Sequence, residues 1–304
     1  KIFDALTKLK YIEYHSGHYD SFTASGNRSR IRANTKLIKC FKSYSISTAM
    51  ITNDKEETII LKKSKEESIN PNRKDLVDYI DNPTTNKMRS NLEEINVLLD
   101  RTWIDIEISD KEHTKLNKAL DKKPDKNPID FTRRKLRRIF NNSSFEHGGR
   151  FYHGWWQEIP SAYRKYITIS GKLTEEEDFS GIHIRMLYAF EDIELGSEDT
   201  YLIEGYGDKY RKQVKVALNT IINAKTKEKA INSINRELAL PKNKTAKDLF
   251  NQLELKHPKI AKYFATGIGI ELQYQDSQIA EKVMLRLARD NIVALPVHDS
   301  FIVR

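Results

Sequence analysis

At 304 residues the chain has room for two domains and a sizeable core. Its 52 lysines and arginines outweigh 43 aspartates and glutamates, a formal charge of +9 that favours a polyanionic partner without demanding one. A single cysteine, Cys40, excludes an internal disulfide or a thiolate zinc site, and the eight histidines lack metal-ligand spacing. With no apolar run near about 18 residues and no signal-peptide pattern, a soluble, cytoplasmic protein without a membrane partner is expected.

Residues 1–9 read as a short helix end. Lys10-Tyr11-Ile12-Glu13-Tyr14-His15 and a glycine-containing stretch through Gly17, Ser25, Gly26 and Asn27 then lead to Arg28, Arg30, Arg32 and Lys36, before Leu37 and Ile38. A helix followed by a hairpin with a basic tip is the outline of a winged helix, whose arginines would lie along DNA phosphates. A small α/β domain with a solvated basic loop fits the same residues. Thr58-Ile59-Ile60-Leu61 reads as one more strand, closing an N-terminal module over residues 1–62.

Residues 63–130 turn to charge and turn formers, including Asn70-Pro71-Asn72, Asp81-Asn82-Pro83 and the cluster from Lys122 to Pro128. One amphipathic helix over residues 88–99, with Leu92, Ile95, Val97 and Leu98, stands among them. The stretch reads as a linker with a helical element, and its last Pro-Lys cluster as the boundary before a third segment, residues 131–304. FTRRKLRRIF opens that segment, read either as a basic amphipathic helix suited to a phosphate backbone or as a surface helix rich in Lys and Arg. Trp155 and Trp156 suit either stacking on unpaired bases or core packing.

Three runs carry the chemistry. Asp178 closes a strand-like stretch in EEEDFSGIHIRMLYAF and feeds a helix, and Asp299 sits about 120 residues later between two β-favouring runs, residues 292–297 and 300–303, where a hairpin would turn. Carboxylates at two neighbouring strand ends can hold divalent cations about 3.5–4 Å apart, the arrangement used for in-line phosphoryl transfer. Between them Arg211, Lys215, Asn219 and Asn223 recur every four positions on a helix with Val214, Val216, Leu218, Ile221 and Ile222. That polar stripe suits a triphosphate laid along the helix, or is an ordinary solvated face. Glu175, Glu176 and Glu177 are expected to be mostly solvated.

The order of these segments resembles the palm and fingers of family-A DNA polymerases and the related single-subunit, bacteriophage-type RNA polymerases. The run from Asp178 to Arg185 is similar to motif A, and Arg211 and Lys215 to the R-x-x-x-K of motif B. Val297-His298-Asp299-Ser300-Phe301 is similar to motif C. Gly149-Arg150, Gln157-Glu158-Ile159-Pro160 and Gln275-Asp276-Ser277 fall where the G-R, Q-N-I-P and glutamine-helix elements are expected. The resemblance covers roughly residues 145–304, whereas relatives of this kind continue past motif C through another strand and helix.

The resemblance implies an α+β fold: a polymerase palm with an antiparallel sheet and small helical fingers over residues 131–304, a reduced thumb-like element within 63–130, and the N-terminal winged-helix-like or α/β module. It implies a template-dependent nucleotidyltransferase, a DNA-directed DNA polymerase of a phage, plasmid or other mobile element that extends a 3′ end on a primer-template or single-stranded DNA. Asp178 and Asp299, with the Phe179 carbonyl, would ligate two Mg²⁺ ions, Mn²⁺ being an alternative. Lys215 and Arg211 would neutralise the triphosphate, and Arg150, Gln275 and His298 would touch the primer-template end. His183 stands where the DNA enzymes carry a glutamate against the ribose 2′-hydroxyl, and Asn219 and Asn223 replace aromatic positions, so dNTPs and NTPs both stay open as substrates. A ribonucleotide-using primase or RNA polymerase, and a non-catalytic replication-initiator DNA-binding protein, are the alternatives. The reduced thumb predicts low processivity, and no acidic cluster of a proofreading exonuclease is apparent.

Overall fold

The computed structural model describes residues 2–16, 18–20, 25–27, 30–45, 56–69, 74–121, 129–179, 181–196 and 198–304. Two compact units result, Lys1–Glu56 and Glu57–Arg304. The boundary falls before the strand assigned above to the N-terminal module, because that strand pairs within the second unit.

The first unit runs α1 (Ile2–Lys8), β1 (Ile12–His15), β2 (His18–Asp20), β3 (Ser25–Asn27), β4 (Arg30–Ala33) and α2 (Thr35–Ser43). β1 pairs antiparallel with β4 and β2 with β3, and α2 follows the last strand. Lys36 of α2 donates to the Leu9 carbonyl at 3.1 Å and lies over the Tyr11 ring at 4.3 Å, while Phe3 stacks on Tyr14. This is a small α/β unit. Arg32 is exposed on β4, and Arg28 and Gly17 lie outside the described residues.

The second unit contains β5 (Ile59–Leu61), α3 (Pro83–Arg101), β6 (Ile104–Ile106), α4 (Asp110–Asp121), β7 (Arg137–Asn141), β8 (Ser144–Tyr152), α5 (Ser161–Arg164), β9 (Ile167–Ile169), β10 (Lys172–Leu173) and β11 (Glu175–Asp178). It continues with α6 (Ile182–Phe190), α7 (Arg211–Asn223), α8 (Lys227–Glu237), α9 (Ala246–Lys256), α10 (Gly269–Arg289), β12 (Leu295–Val297) and β13 (Ser300–Val303). Its three-stranded sheets have the orders β5-β7-β8, β10-β9-β6 and β11-β13-β12; only β5 with β7 is parallel. The fold is therefore mixed α+β, with small sheets and no helix among the described residues long and apolar enough to cross a membrane.

Residues 63–130 depart most from expectation. Asn82 caps α3 by accepting from the Thr84 and Thr85 amides, Pro83 occupies the first turn, and Met88, Leu92, Ile95, Leu98 and Leu99 are buried. α3 packs on α10, so this helix belongs to the core of the second unit and is no linker; each fully buried Leu or Ile contributes roughly 1.5–3 kcal/mol. The expected boundary at residues 122–128, and Asn70-Pro71-Asn72, lie outside the described residues.

FTRRKLRRIF is likewise corrected from helix to a turn followed by β7. Leu136, Arg138 and Phe140 alternate as fully buried positions, a period of two that only a strand presents to one side. Arg138 is thus unavailable to a phosphate. Its Nη1 pairs with Glu281 at 3.0 Å, Nη2 donates to Ser277 Oγ at 3.0 Å and Nε donates to the Gly149 carbonyl at 2.8 Å. Asn91 of α3 donates to the other Glu281 oxygen at 3.1 Å. Gly149 has φ +71°, and a Cβ there would sit 2.8 Å from the Phe140 ring and 2.9 Å from Ser277 Oγ, so only glycine allows β8 this close to α10. Trp155 and Trp156 are fully buried, which assigns the pair to the core.

Two apolar clusters fill this unit. The first joins α3, α10 and the sheets; the second joins α6, α7, α8 and α9. α10 serves both, through Ala280, Met284 and Leu285 in the first and Leu272 in the second.

Removing one partner of the buried pair leaves the other charge uncompensated. Arg138→Ala is expected to lower stability by about 3–5 kcal/mol in urea unfolding, and Arg138→Met with Glu281→Met to recover most of that loss. His257 gives a pH handle: burial holds its imidazole below the usual histidine range, with Nδ1 2.9 Å from the Tyr188 hydroxyl and Nε2 3.0 Å from the Thr200 carbonyl. Below pH 6.5, its ordinary value, the unfolded chain binds a proton that the folded one refuses. Its contribution is therefore complete above that value and lost as the pH falls. His257→Gln should flatten this acid dependence of the urea midpoint.

Candidate active site

The sheet β11-β13-β12 places the two aspartates. Asp178 is the last residue of β11 and pairs across to Ser300, the first residue of β13, with Asp299 immediately before it in the turn. The Phe179 amide donates to the Asp299 carbonyl at 3.3 Å, closing the two chain ends against each other. β12 and β13 form the expected hairpin, turned by His298-Asp299 between Val297 and Ser300. His298 adopts φ +58°, a conformation that costs a non-glycine residue about 1–2 kcal/mol. Strain of this kind is sustained by the surrounding structure, here by Trp156 Nε1 and Gln157 Nε2, which both donate to the Pro296 carbonyl, at 3.1 and 2.9 Å.

Gly181, at φ +67°, turns the chain from β11 into α6, where a Cβ would meet the Tyr201 hydroxyl at 3.0 Å. α7 runs alongside and carries the polar stripe as expected: Val214, Ala217, Leu218, Ile221 and Ile222 are buried, and Arg211, Asn219 and Asn223 are exposed. Lys215 is half-buried. Burial first, and then the charge of Asp299, push the Asp178 carboxyl above its ordinary value, and Lys215 opposes them. A carboxyl held above its ordinary value by burial and by a neighbouring aspartate, only partly offset by one lysine, fits a divalent cation.

The donor set for such a cation is small. Among the described residues no group of three or more His, Cys, Asp or Glu is arranged to hold a metal. Asp178, Asp299 and the Phe179 carbonyl are the available oxygens, and that carbonyl already accepts the Ile182 amide at 3.2 Å, leaving one lone pair. Glu176 is engaged elsewhere, accepting from Arg164 at 2.8 Å and from Ser300 Oγ at 2.6 Å. The remaining positions would be open to water or a substrate's own oxygens.

A second group of residues closes the site from behind. Arg150 of β8 donates through Nε and Nη2 to Asp276 Oδ2 at 2.9 and 2.7 Å, and its Nη2 lies 3.3 Å from His183 Nε2. Burial raises the Asp276 carboxyl while Arg150 opposes it. Burial and then Arg150 depress His183 to about 4, with Asp299 pulling the other way. His298, edge-on to the Tyr152 ring, is depressed first by desolvation and then by Arg150. Arg150 and Asp299 thus each act on His183, His298 and Asp276.

Other expected residues stand apart from this cluster. Arg211 is paired at 2.5 Å with Asp199 and lies over the Tyr201 ring at 5.1 Å; Lys215 lies over the same ring at 5.9 Å. An open cleft of about 230 Å³ lined by Gly181, Arg185, Asp199, Tyr201 and Arg211 runs beside them. Asn219 and Asn223 lie further along α7, and the Asn223 side chain donates to the Asn219 carbonyl at 2.8 Å. Gln275 is exposed on α10 one position before Asp276. Sequence reasoning missed Asp276, Asp199 and Tyr201. Asp276 had a signal, since residues 276, 280 and 284 and residues 277 and 281 repeat every four positions on the buried side of α10. Asp199 and Tyr201 sit in a connection without periodicity.

Compared with known proteins, the chain matches no family model, no curated protein and no solved structure.

If Asp178 and Asp299 hold divalent cations, Mg²⁺ should raise the melting temperature of the wild type. An ion at about ten times its dissociation constant contributes about 1.4 kcal/mol, roughly 3–6 °C for a unit of this size. Asp299→Asn should abolish that increment, and without Mg²⁺ should melt no lower than the wild type, because like-charge repulsion is removed.

Proposed function

We propose that this chain is a template-dependent nucleotidyltransferase that extends a nucleic-acid 3′ end. The observation that carries the reading is the juxtaposition of Asp178 and Asp299 across one β-ladder, in a shared electrostatic environment with Lys215. Magnesium ions bound by the two aspartates and the Phe179 carbonyl would supply the positive charge that an in-line displacement at a phosphate requires.

The remaining roles belong to the chain's own residues. Lys215, beside Asp178, neutralises negative charge as it shifts toward the leaving pyrophosphate. Arg211 contributes once it exchanges the Asp199 carboxylate for a phosphate oxygen, a like-for-like replacement of one anion by another. Tyr201 forms a floor beneath both cations. Arg150 keeps Nη1 without a partner among the described residues and offers it, with exposed Gln275 and His298, to the primer-template end. The positive net charge and the exposed Arg32 and Lys36 of the first unit support a nucleic-acid partner. The palm-and-fingers likeness of the sequence motifs supports the same reading, as does the strand-turn-strand around Asp299.

A Mg²⁺-dependent extension assay on single-stranded DNA, with and without an annealed primer and with all dNTPs or all NTPs, tests this. Asp299→Ala should reduce extension roughly a thousandfold or more while leaving DNA affinity within about twofold. DNA binding with no incorporation by the wild type under any combination would replace this reading with that of a non-catalytic binding protein.

A further inference from the structure

Three segments of the second unit bring lysines together at the turn between β7 and β8. Lys62 and Leu76 form an antiparallel bridge, flanked by the Lys63 amide on the Asp75 carbonyl and the Val77 amide on the Leu61 carbonyl, both at 2.9 Å. The Lys62 carbonyl accepts the Ser143 amide of the turn at 2.9 Å, and Lys74 Nζ donates to Asn141 Oδ1 at 2.7 Å, where the register of β7 with β8 shifts. Lys225 follows α7, fixed by the Gly267 amide on the preceding Ala224 carbonyl at 2.8 Å, and lies 3.6 Å from Glu66. Lys62, Lys65, Lys74 and Lys225 are thereby gathered around Glu66. Burial first, and then Lys62 and Lys65, push the half-buried Lys74 ammonium below the usual lysine range; Glu66 opposes them and Lys225 adds to them. Two further carboxylates of this segment accept backbone amides, Glu67 from Ser64 at 3.1 Å and Asp75 from Ile69 at 2.9 Å. Lysines held this close repel one another, and an external anion removes that cost.

We propose that this lysine cluster is a phosphodiester site that holds an unpaired nucleic-acid strand away from the two aspartates. It goes beyond the nucleotidyltransferase reading, because a strand can bind here whether or not a bond is made. Lysine is a point charge on a flexible stem and suits successive backbone phosphates, whereas planar, bidentate recognition of a single phosphate or carboxylate favours arginine. Ile69 and Leu76, 91 % and 59 % exposed in the same segment, offer apolar surface that the faces of unpaired bases can cover and a closed duplex cannot. The cluster is separate from the candidate active site. Ser144 lies six residues before Arg150 on β8, about 20 Å along the strand, and α7, which carries Lys215 in its first half, is also about 20 Å long. With a phosphate about every 3.4 Å, a strand would span the two sites with roughly six phosphates.

Fluorescence anisotropy of the full chain with a labelled oligothymidylate, over a series of salt concentrations and without nucleotides, tests the site. Lys65→Gln with Lys225→Gln, both at exposed positions, should weaken binding roughly fivefold or more and reduce the slope of log affinity against log salt by about 1.4, the value for two single-strand phosphate contacts. Lys65→Arg with Lys225→Arg should keep both. Lys229→Gln with Lys247→Gln removes the same charge from exposed positions on α8 and α9 and should leave the slope within about 0.3 of the wild type. Equal losses in the two Gln pairs, or none in the first, overturn the proposal. A duplex of the same length should lose less affinity than the single strand in the first pair, and a larger loss for the duplex overturns the assignment to an unpaired strand. The expected binding results without nucleotide incorporation leave this site standing and overturn the polymerase reading. Extension by the wild type, with binding unmoved in Lys65→Gln with Lys225→Gln, does the reverse.

Discussion

The second unit depends on one face of one helix. α10 spans about 32 Å, long enough to serve both apolar clusters, and its inner side carries two carboxylates where a core would ordinarily be apolar. Glu281 holds Arg138 of β7 and Asp276 holds Arg150 of β8. Burying such charges is costly unless each is paired and hydrogen-bonded, and here Asn91, Ser277 and the Gly149 carbonyl complete the set around Arg138. Two adjacent strands are thereby pinned to α10 at fixed heights. The close approach needs glycine at position 149.

That clamp is connected to the candidate site. The same β8 that carries Gly149 carries Arg150, and Arg150 meets His183 at the start of α6, so the packing that holds the sheet also sets the electrostatics facing Asp299. The hairpin of β12 and β13 is tied separately, by Trp156 and Gln157 on the Pro296 carbonyl. A strained His298 at the turn persists because both supports are rigid. The site thus sits on strand ends backed by a fully packed core, with its cations on α6, α7 and β8 drawn from different parts of the chain.

Charge in the site is close to balanced, with most cations already engaged. Arg150 is held by Asp276, Arg211 by Asp199 and Arg164 by Glu176. Lys215 remains the cation that acts on Asp178, and burial with Asp299 outweighs it. Under the proposed function, a polyanion entering with its metal ions would relieve the repulsion on Asp178 and compete with Asp199 for Arg211. Binding in such a site is an exchange of partners, which limits its electrostatic cost.

The sequence by itself determined the local elements of the candidate site. The β-favouring runs around His298-Asp299, the strand-to-helix passage at Asp178 and the four-residue stripe on α7 are properties of a few neighbouring residues, and all three stand in the structure. Where short-range pattern and burial diverge, the sequence misled. FTRRKLRRIF has the composition of a surface helix yet forms a strand with a buried arginine, because its partner Glu281 lies 143 positions away. The helix expected over residues 88–99 stands within α3, yet its reading as part of a linker does not, because α10 covers its apolar side. Tertiary structure alone decided which cations are already paired. Those outcomes depend on pairings such as Arg150 with Asp276, 126 residues apart, and no local periodicity encodes a contact made across that separation.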